Sequence, residues 1–412
     1  MRSVVANVEP CLARIAAAEP LLKAWAWHDA EQVRAQARSL AHRSGAGALF
    51  GYPVGVKDII DTADMPTGYG SRIYEGHRPA RDAEVVVRLR AAGALIVGKT
   101  ATTEFAYAQP ASTANPHNLE HTPGGSSSGS AAAVGAGMVP LAIGSQTGGS
   151  TIRPSAYCGI VGFKPTFDAI PTRGMKALAP SMDTIGLHGH AVDAVGLLFG
   201  ALSDPDAVAP RSSGHTQSRI IYFPGPHAAA AEEGAQRALA AARVVLAQSG
   251  FSIEPCELPS EFGELAAANR VIMAFESAVS LAEEYNGHRA LLSPAAIELI
   301  ETGRATTASG YHRARTLATR SRDALTRILR GTDVLMTFSA PGEAPLRSAG
   351  TGDSLFNRGW TVMGVPCMTL PFGRGDRADL PLGIQFVGSP KQDWGLLALG
   401  ARIEQLFQPF NR

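Results

Sequence analysis

Cysteine is the first shortage. The 412 residues include four, Cys11, Cys158, Cys256 and Cys367, widely separated and without a CxxC pair. That spacing suits buried thiols in a reducing compartment better than a disulfide framework or a zinc ribbon. An excess of either charge is lacking too: 37 Lys and Arg face 36 Asp and Glu. No basic footprint for nucleic acid or an anionic membrane surface is therefore expected. Long apolar runs are also missing. The longest uncharged one, AAAVGAGMVPLAIG at residues 131–144, contains a proline and falls short of the about 20 residues a bilayer requires. The N-terminal MRSVVANVEPCLARIAAAEP carries Glu9 and shows no apolar core followed by a cleavage site. No signal peptide is expected, and a cytoplasmic protein is. What is abundant is core material: 45% apolar against 18% charged residues, the composition of a globular chain.

Residues 9–43 show helical spacing, with Leu12, Ile15, Leu22 and Trp25 recurring near one face. YPVGVKDIID then reads as a short strand over residues 54–60 with a lysine set in it. AEVVVRLRAAG reads as a helix and ALIVGKT as a strand. A helix over residues 128–138 and a strand over 140–143 follow, then GIVGFKP as a further strand. The alternation predicts an α/β fold, a large mixed sheet covered by helices on both faces. From about 205 to 330 the chain is rich in alanine and arginine, as in EEGAQRALAAARVVLAQSG, before strands return at DVLMTFSAP, VPCMTLPFG and LPLGIQFVG. The expectation is one domain over 1–412, with a core at about 45–200, a helical insertion at about 205–330 and a return to the sheet at 331–412.

Two motifs mislead. GALIVGKT, residues 93–100, matches GxxxxGK[ST]. In a phosphate loop the intervening residues form a solvated turn. Here Ala94, Leu95, Ile96 and Val97 are an apolar run that must itself be the strand. His188 and His190 form an HxH pair without a third ligand to complete a metal site. His117 and His121 flank a serine-rich run, so a Ser–His hydrolase stays open on spacing.

Three segments carry chemistry: Lys57 in VGVKDIID, Ser126 in TPGGSSSGS and Ser150 in GSQTGGSTIRP. A helix of about ten residues after Ser126 climbs roughly 15 Å. A return strand of about five residues covers the same distance, so the two hydroxyls can meet. The consecutive N–H groups of Thr147, Gly148, Gly149 and Ser150 can converge as a nest for an oxyanion. Val54, Val56, Ile59 and Ile60 surround Lys57 in sequence, and desolvation there would lower its pKa and leave a neutral amine able to take a proton.

GGSSSGSAAAVGAGMVPLAIGSQTGGSTIRPSAYCGIVGFKPT, together with GVKDIIDT, GKTATTEFA and LPLGIQFVG, closely resembles the amidase signature family, in pattern most like its short malonamidase-type members. The resemblance implies a Ser–cis-Ser–Lys triad of Ser150 (nucleophile), Ser126 (bridging serine on a cis peptide) and Lys57 (base). It implies an oxyanion hole at Thr147, Gly148 and Gly149, and no metal or organic cofactor. The implied activity is hydrolysis of a small carboxylic amide to acid and ammonia. Its substrate would be a small-molecule amide such as a dicarboxylic monoamide (malonamate). The alternatives are an amidase-like component of an amidotransferase complex, or a hydrolase of allophanate- or carboxybiuret-type ureas. A homodimer is allowed.

Three departures from the family pattern stand out: Ser128 replaces a glycine, Gln146 replaces an acid, and an arginine sits three residues after Ser150 instead of two. That residue, Arg153, is read in two ways, as the ligand of a substrate carboxylate or as an arginine tied to local carboxylates or carbonyls, and Ser127 is expected as a second substrate contact. Pocket walls are expected from the 120s, the insertion and the loops near residues 337–341 and 357–360.

Overall fold

The computed structural model describes residues 4–42, 47–107, 109–206, 219–331 and 333–411. Helix α1 (Val4–Leu22), strand β1 (Trp25–His28) and α2 (Ala30–Ala41) are followed by β2 (Pro53–Lys57), α3 (Glu84–Ala91), β3 (Leu95–Thr100) and α4 (Ser128–Gly135). Then come β4 (Leu141–Gln146), α5 (Ile152–Tyr157), β5 (Val161–Lys164), β6 (Thr184–Gly189) and α6 (Val192–Leu202). The next segment holds β7 (Ile220–Tyr222), α7 (Glu233–Gln248), β8 (Ile253–Pro255), α8 (Leu265–Ser280), α9 (Ala282–His288), α10 (Pro294–Ala305) and α11 (Ala308–Ile328). Strand β9 (Val334–Phe338), α12 (Leu355–Val362), β10 (Cys367–Arg374), β11 (Pro381–Gly388) and α13 (Asp393–Phe407) complete the chain.

The eleven strands among the described residues form one mixed sheet in the order β1-β3-β2-β4-β6-β5-β10-β11-β9-β7-β8. Alternate residues of its strands enter different cores. Val54, Val56, Ile96, Leu141 and Ile143 pack with α3 and α6, while Leu95, Val97 and Ala142 pack with α1, α2 and α4. Both faces are buried, which is why these strands read as continuous apolar runs. The α/β architecture with helices on both faces is therefore as expected.

Two local readings differ. The single helical stretch expected over 9–43 is broken by β1, and residue 43 lies outside the described residues. Pro20 sits in the last turn of α1, Lys23 takes a left-handed φ of 51°, and the Glu19 carboxylate accepts the N–H groups of Ala24 and Trp25 at 2.8 and 3.0 Å. The chain turns there, and Trp25–His28 pairs antiparallel with β3. Asp29 then caps α2 by accepting from the N–H groups of Glu31 and Gln32. The alanine- and arginine-rich stretch also contributes strands: β7 and β8 join the sheet in parallel beyond β9. At three residues each they are too short to show a period-2 pattern. Residues 207–218, at the start of that stretch, lie outside the described residues, as do 45 and 46 at the start of the expected core. Among the described residues no single helix is long and apolar enough to cross a membrane.

Candidate active site

Strands β2, β3 and β4 run parallel, and their carboxyl ends form one rim, the usual place for a ligand in such sheets. Lys57 is the last residue of β2, and β4 ends at Gln146 before the 147–150 turn. The register pairs Val56 with Ile143, which sets Lys57 beside the end of β4. Its Nζ bonds Ser126 Oγ at 2.7 Å and Ser145 Oγ at 2.9 Å. Lys57 is fully buried. Burial holds its amine well below the ordinary lysine value, and the nearby Asp183 carboxylate only partly opposes this.

The serine-rich run is folded tightly. Gly124 has φ 84°, and the Gly125–Ser126 peptide is cis. Ser128, in place of the family's glycine, opens α4 and donates its hydroxyl to the Gly124 carbonyl at 2.8 Å. Gly129 lies so close to the backbone that a Cβ there would overlap the Ala24 carbonyl and the Ala101 amide. The stretch is thus a turn packed into the sheet rim. Ser150 reaches the same place: the Ser127 N–H donates to the Ser150 carbonyl at 3.3 Å. Ser126 is 2% and Ser150 9% exposed, the latter keeping a little access. Among the described residues no side-chain bond joins the two hydroxyls.

Above them, the N–H groups of Thr147, Gly148, Gly149 and Ser150 donate to no protein acceptor among the described residues, an array free to receive an oxyanion. The turn is held from outside. Gln146 Oε1 accepts the N–H groups of Thr151 and Ile152 at 2.9 and 3.0 Å. Its Nε2 donates to Thr361 Oγ1, and that hydroxyl donates to the Gly148 carbonyl at 2.6 Å. Asp183 accepts from Thr147 Oγ1 at 2.5 Å and from the N–H groups of Leu178 and Ala179. Asn269 Nδ2 donates to the Thr147 carbonyl at 3.0 Å. On Gly149, a Cβ would overlap Asn357 Oδ1 and stand 2.8 Å from Ser354 Cβ, whereas at Gly148 the nearest atoms are 3.6 Å away. Gly149→Ala is therefore expected to cost about 1–3 kcal/mol, with lost turnover, and Gly148→Ala much less. Denaturant midpoints of the two variants check this, and equal midpoints would contradict it.

The other expected site residues lie differently. Arg153 is buried and donates to the carbonyls of Gly352 and Gly125 at 2.8 and 2.6 Å and to Thr351 Oγ1 at 3.3 Å. Its guanidinium fastens the Gly125–Ser126 turn to the 351–352 loop. Ser127 is fully buried; its hydroxyl donates to the Ser145 carbonyl and accepts the Ser145 N–H, both at 3.2 Å. These bonds engage Nη1 and both hydrogens of Nη2 of Arg153, whose Nε is buried, and they use the Ser127 hydroxyl as both donor and acceptor. Arg153 thus takes the carbonyl-tied of its two expected arrangements, and Ser127, expected as a substrate contact, is corrected to a structural position. His117 and His121 bond the carbonyls of Cys158 and Ala344, and neither meets a serine among the described residues. His188 is buried beside Ser155 Oγ at 2.8 Å, and burial pushes its pKa down to about 3. Lys99, of the phosphate-loop look-alike, lies buried at the end of β3, bonded to the Ile60 carbonyl and Thr67 Oγ1. Among the described residues no three His, Cys, Asp or Glu side chains gather as a metal site.

Sequence reasoning missed Asp183, Asn269, Ser354 and Thr361, while Asn357 and Arg358 fall in the 357–360 segment expected as pocket wall, which is part of helix α12 and not a loop. Asp183 had one signal, a lone acid in the apolar LAPSMDTIGLHG. The others reach the turn from far along the chain.

A buried lysine bonded to a serine thus stands beneath an open row of main-chain donors at the carboxyl rim of a mixed α/β sheet. The chain matches the Amidase family over residues 6–397, and it belongs to the amidase signature family. It is 38% identical to a glutamyl-tRNA(Gln) amidotransferase subunit from Symbiobacterium thermophilum over 70% of this chain, spanning 63% of that relative's length. To the protein of the same name from Anaeromyxobacter sp. it is 32% identical, covering 98% of this chain and 92% of the relative. The structure of the native peptide amidase from Stenotrophomonas maltophilia superposes with a TM-score of 0.84 at 30% identity, covering 98% of this chain and 94% of that one.

Proposed function

We propose that the chain cleaves the C–N bond of a carboxamide through an acyl-enzyme on Ser150. The observation that carries this is the 2.7 Å bond between the desolvated Lys57 amine and Ser126 Oγ. The neutral amine takes the Ser126 proton while Ser126 takes that of Ser150, and Ser150 Oγ bonds to the acyl carbon. The carbonyl electrons move onto oxygen, which rests on the N–H groups of Thr147, Gly148 and Gly149. Collapse breaks the C–N bond, and the relay returns its proton to the leaving ammonia. Water then repeats the attack on the acyl-serine, releasing acid and restoring Ser150. Among the described residues no bond joins Ser126 and Ser150, and the relay requires that link to form with substrate in place, as catalytic hydrogen bonds often do. No step requires a metal or organic cofactor.

Among the readings of its setting, the amidase half of an amidotransferase-like assembly gains most. The curated relatives carry that name. The malonamate reading rested on Arg153, whose donors are engaged by carbonyls. A stand-alone small-amide hydrolase is the second reading, favoured by the peptide amidase likeness. Ammonia release from glutamine and from a panel of neutral and charged primary amides, with and without co-purifying chains, tests both. Stimulation of glutamine turnover by a partner supports the first, and full turnover by the chain alone supports the second. An acyl adduct trapped on a residue other than Ser150 would sink both.

A further inference from the structure

Helix α12 and the residue before it lay Ser354, Asn357, Arg358 and Thr361 along one face at spacings of three and four. That face closes over the 147–150 turn: Thr361 bonds the Gly148 carbonyl, Ser354 and Asn357 abut Gly149, and Arg358 Nη1 stands 3.8 Å from where a Gly148 Cβ would be. Arg358 thus brings a cation up to the main-chain donors proposed to hold the oxyanion. Its Nη1 donates to Asn269 Oδ1 at 3.1 Å, and Asn269 is itself fixed to the Thr147 carbonyl. Its Nε is buried without a partner. Among the described residues it forms no ion pair with a carboxylate. The charged and titratable groups around it are mixed: Arg270 and the buried Arg153 repel it, while the exposed Asp353 and the Tyr107 hydroxyl favour its charge. A half-buried guanidinium without a counterion is unfavourable unless something supplies the anion.

We infer that Arg358 is the specificity-determining residue of the site: it binds a carboxylate carried by the substrate beside the reacting carbonyl. This rests on the amide-hydrolysis reading and deepens it, since both a glutamine-like amide and a dicarboxylic monoamide carry such a group. The orientation is set by Asn269, which leaves the remaining guanidinium donors to the ligand. A planar fork of this kind matches a carboxylate.

The test compares a carboxylate-bearing primary amide with a neutral one of equal length in the wild type, Arg358→Gln and Arg358→Lys. Arg358→Gln is expected to lower kcat/KM for the carboxylated amide, mainly through KM, about 10- to 100-fold more than for the neutral amide, and Arg358→Lys is expected to restore part of that difference. Equal losses on both amides would overturn the assignment. A second measurement does not depend on turnover: a dicarboxylate of the same length is expected to raise the melting temperature of the wild type and not of Arg358→Gln. Equal shifts in both proteins, or none in either, would also overturn it. Failure of the amide-hydrolysis reading would show separately, as no ammonia from either amide in the wild type.

Discussion

Ser150→Ala is expected to lower kcat by roughly 10⁴-fold or more, the scale seen when an acyl-transfer enzyme loses its nucleophile. The fold should not change. Ser150 Oγ makes no hydrogen bond among the described residues, while the neighbouring main-chain tie from the Ser127 N–H to the Ser150 carbonyl survives the substitution. The stability change should therefore stay within about 0.5 kcal/mol. Three measurements check this together: ammonia release, the melting temperature, and the intact mass after incubation with a serine-directed acylating reagent. The wild type should gain one adduct and the variant none. A variant that still gains the adduct would move the nucleophile elsewhere. Ser126 would then be the first candidate, being the hydroxyl bonded to Lys57.

Much of this site was legible because its parts lie close together in sequence or carry their own local chemistry. The turn at Gly148 and Gly149, the lysine among Val54, Val56 and Ile60, and the apolar run that makes GALIVGKT a strand are all statements about a few adjacent residues. Apolar strands buried on two faces announced the sheet in the same way. Arg153 shows where this stops. Its spacing from Ser150 was readable, yet its direction was decided by the carbonyls of Gly125 and Gly352, and Gly352 is 199 residues away. The acid missing at Gln146 is a similar case. Gln146 instead anchors the start of α5, and the buried carboxylate beside the turn is Asp183, brought in from β6's leading edge. Arg358 and Asn269 reach Thr147 and Gly148 only because α8 and α12 pack together over the rim. No periodicity encodes that meeting. The strand β1 was lost for a different reason: a helical pattern on both sides of it outweighed four residues, and the stop at Lys23 depends on a side-chain carboxylate, that of Glu19, folding back to accept main-chain donors.

Lys57→Met removes the proposed base while keeping a long apolar stem, and two effects of opposite sign should follow. Turnover near neutral pH should fall roughly 10²- to 10⁴-fold, the range for a lost general base. The acid limb of the wild-type kcat/KM profile, which reports the free amine becoming protonated, should vanish with it. That limb belongs well below the ordinary lysine value of 10.5, because burial disfavours the ammonium. Stability should move the other way. Between the depressed value and 10.5 the unfolded chain holds the proton and the folded chain does not, so wild-type stability rises with pH across that window and is lost as pH falls through it. Methionine has no proton to exchange. The variant should therefore be at least as stable as the wild type at neutral pH, with a flatter dependence of unfolding free energy on pH. Urea titrations from about pH 6 to 9 read the slope, and ammonia release over the same range reads the limb. Should Lys57→Met keep normal turnover, Ser126 would have to pass its proton to some other acceptor, and among the described residues Lys57 Nζ is the only side-chain group bonded to its hydroxyl.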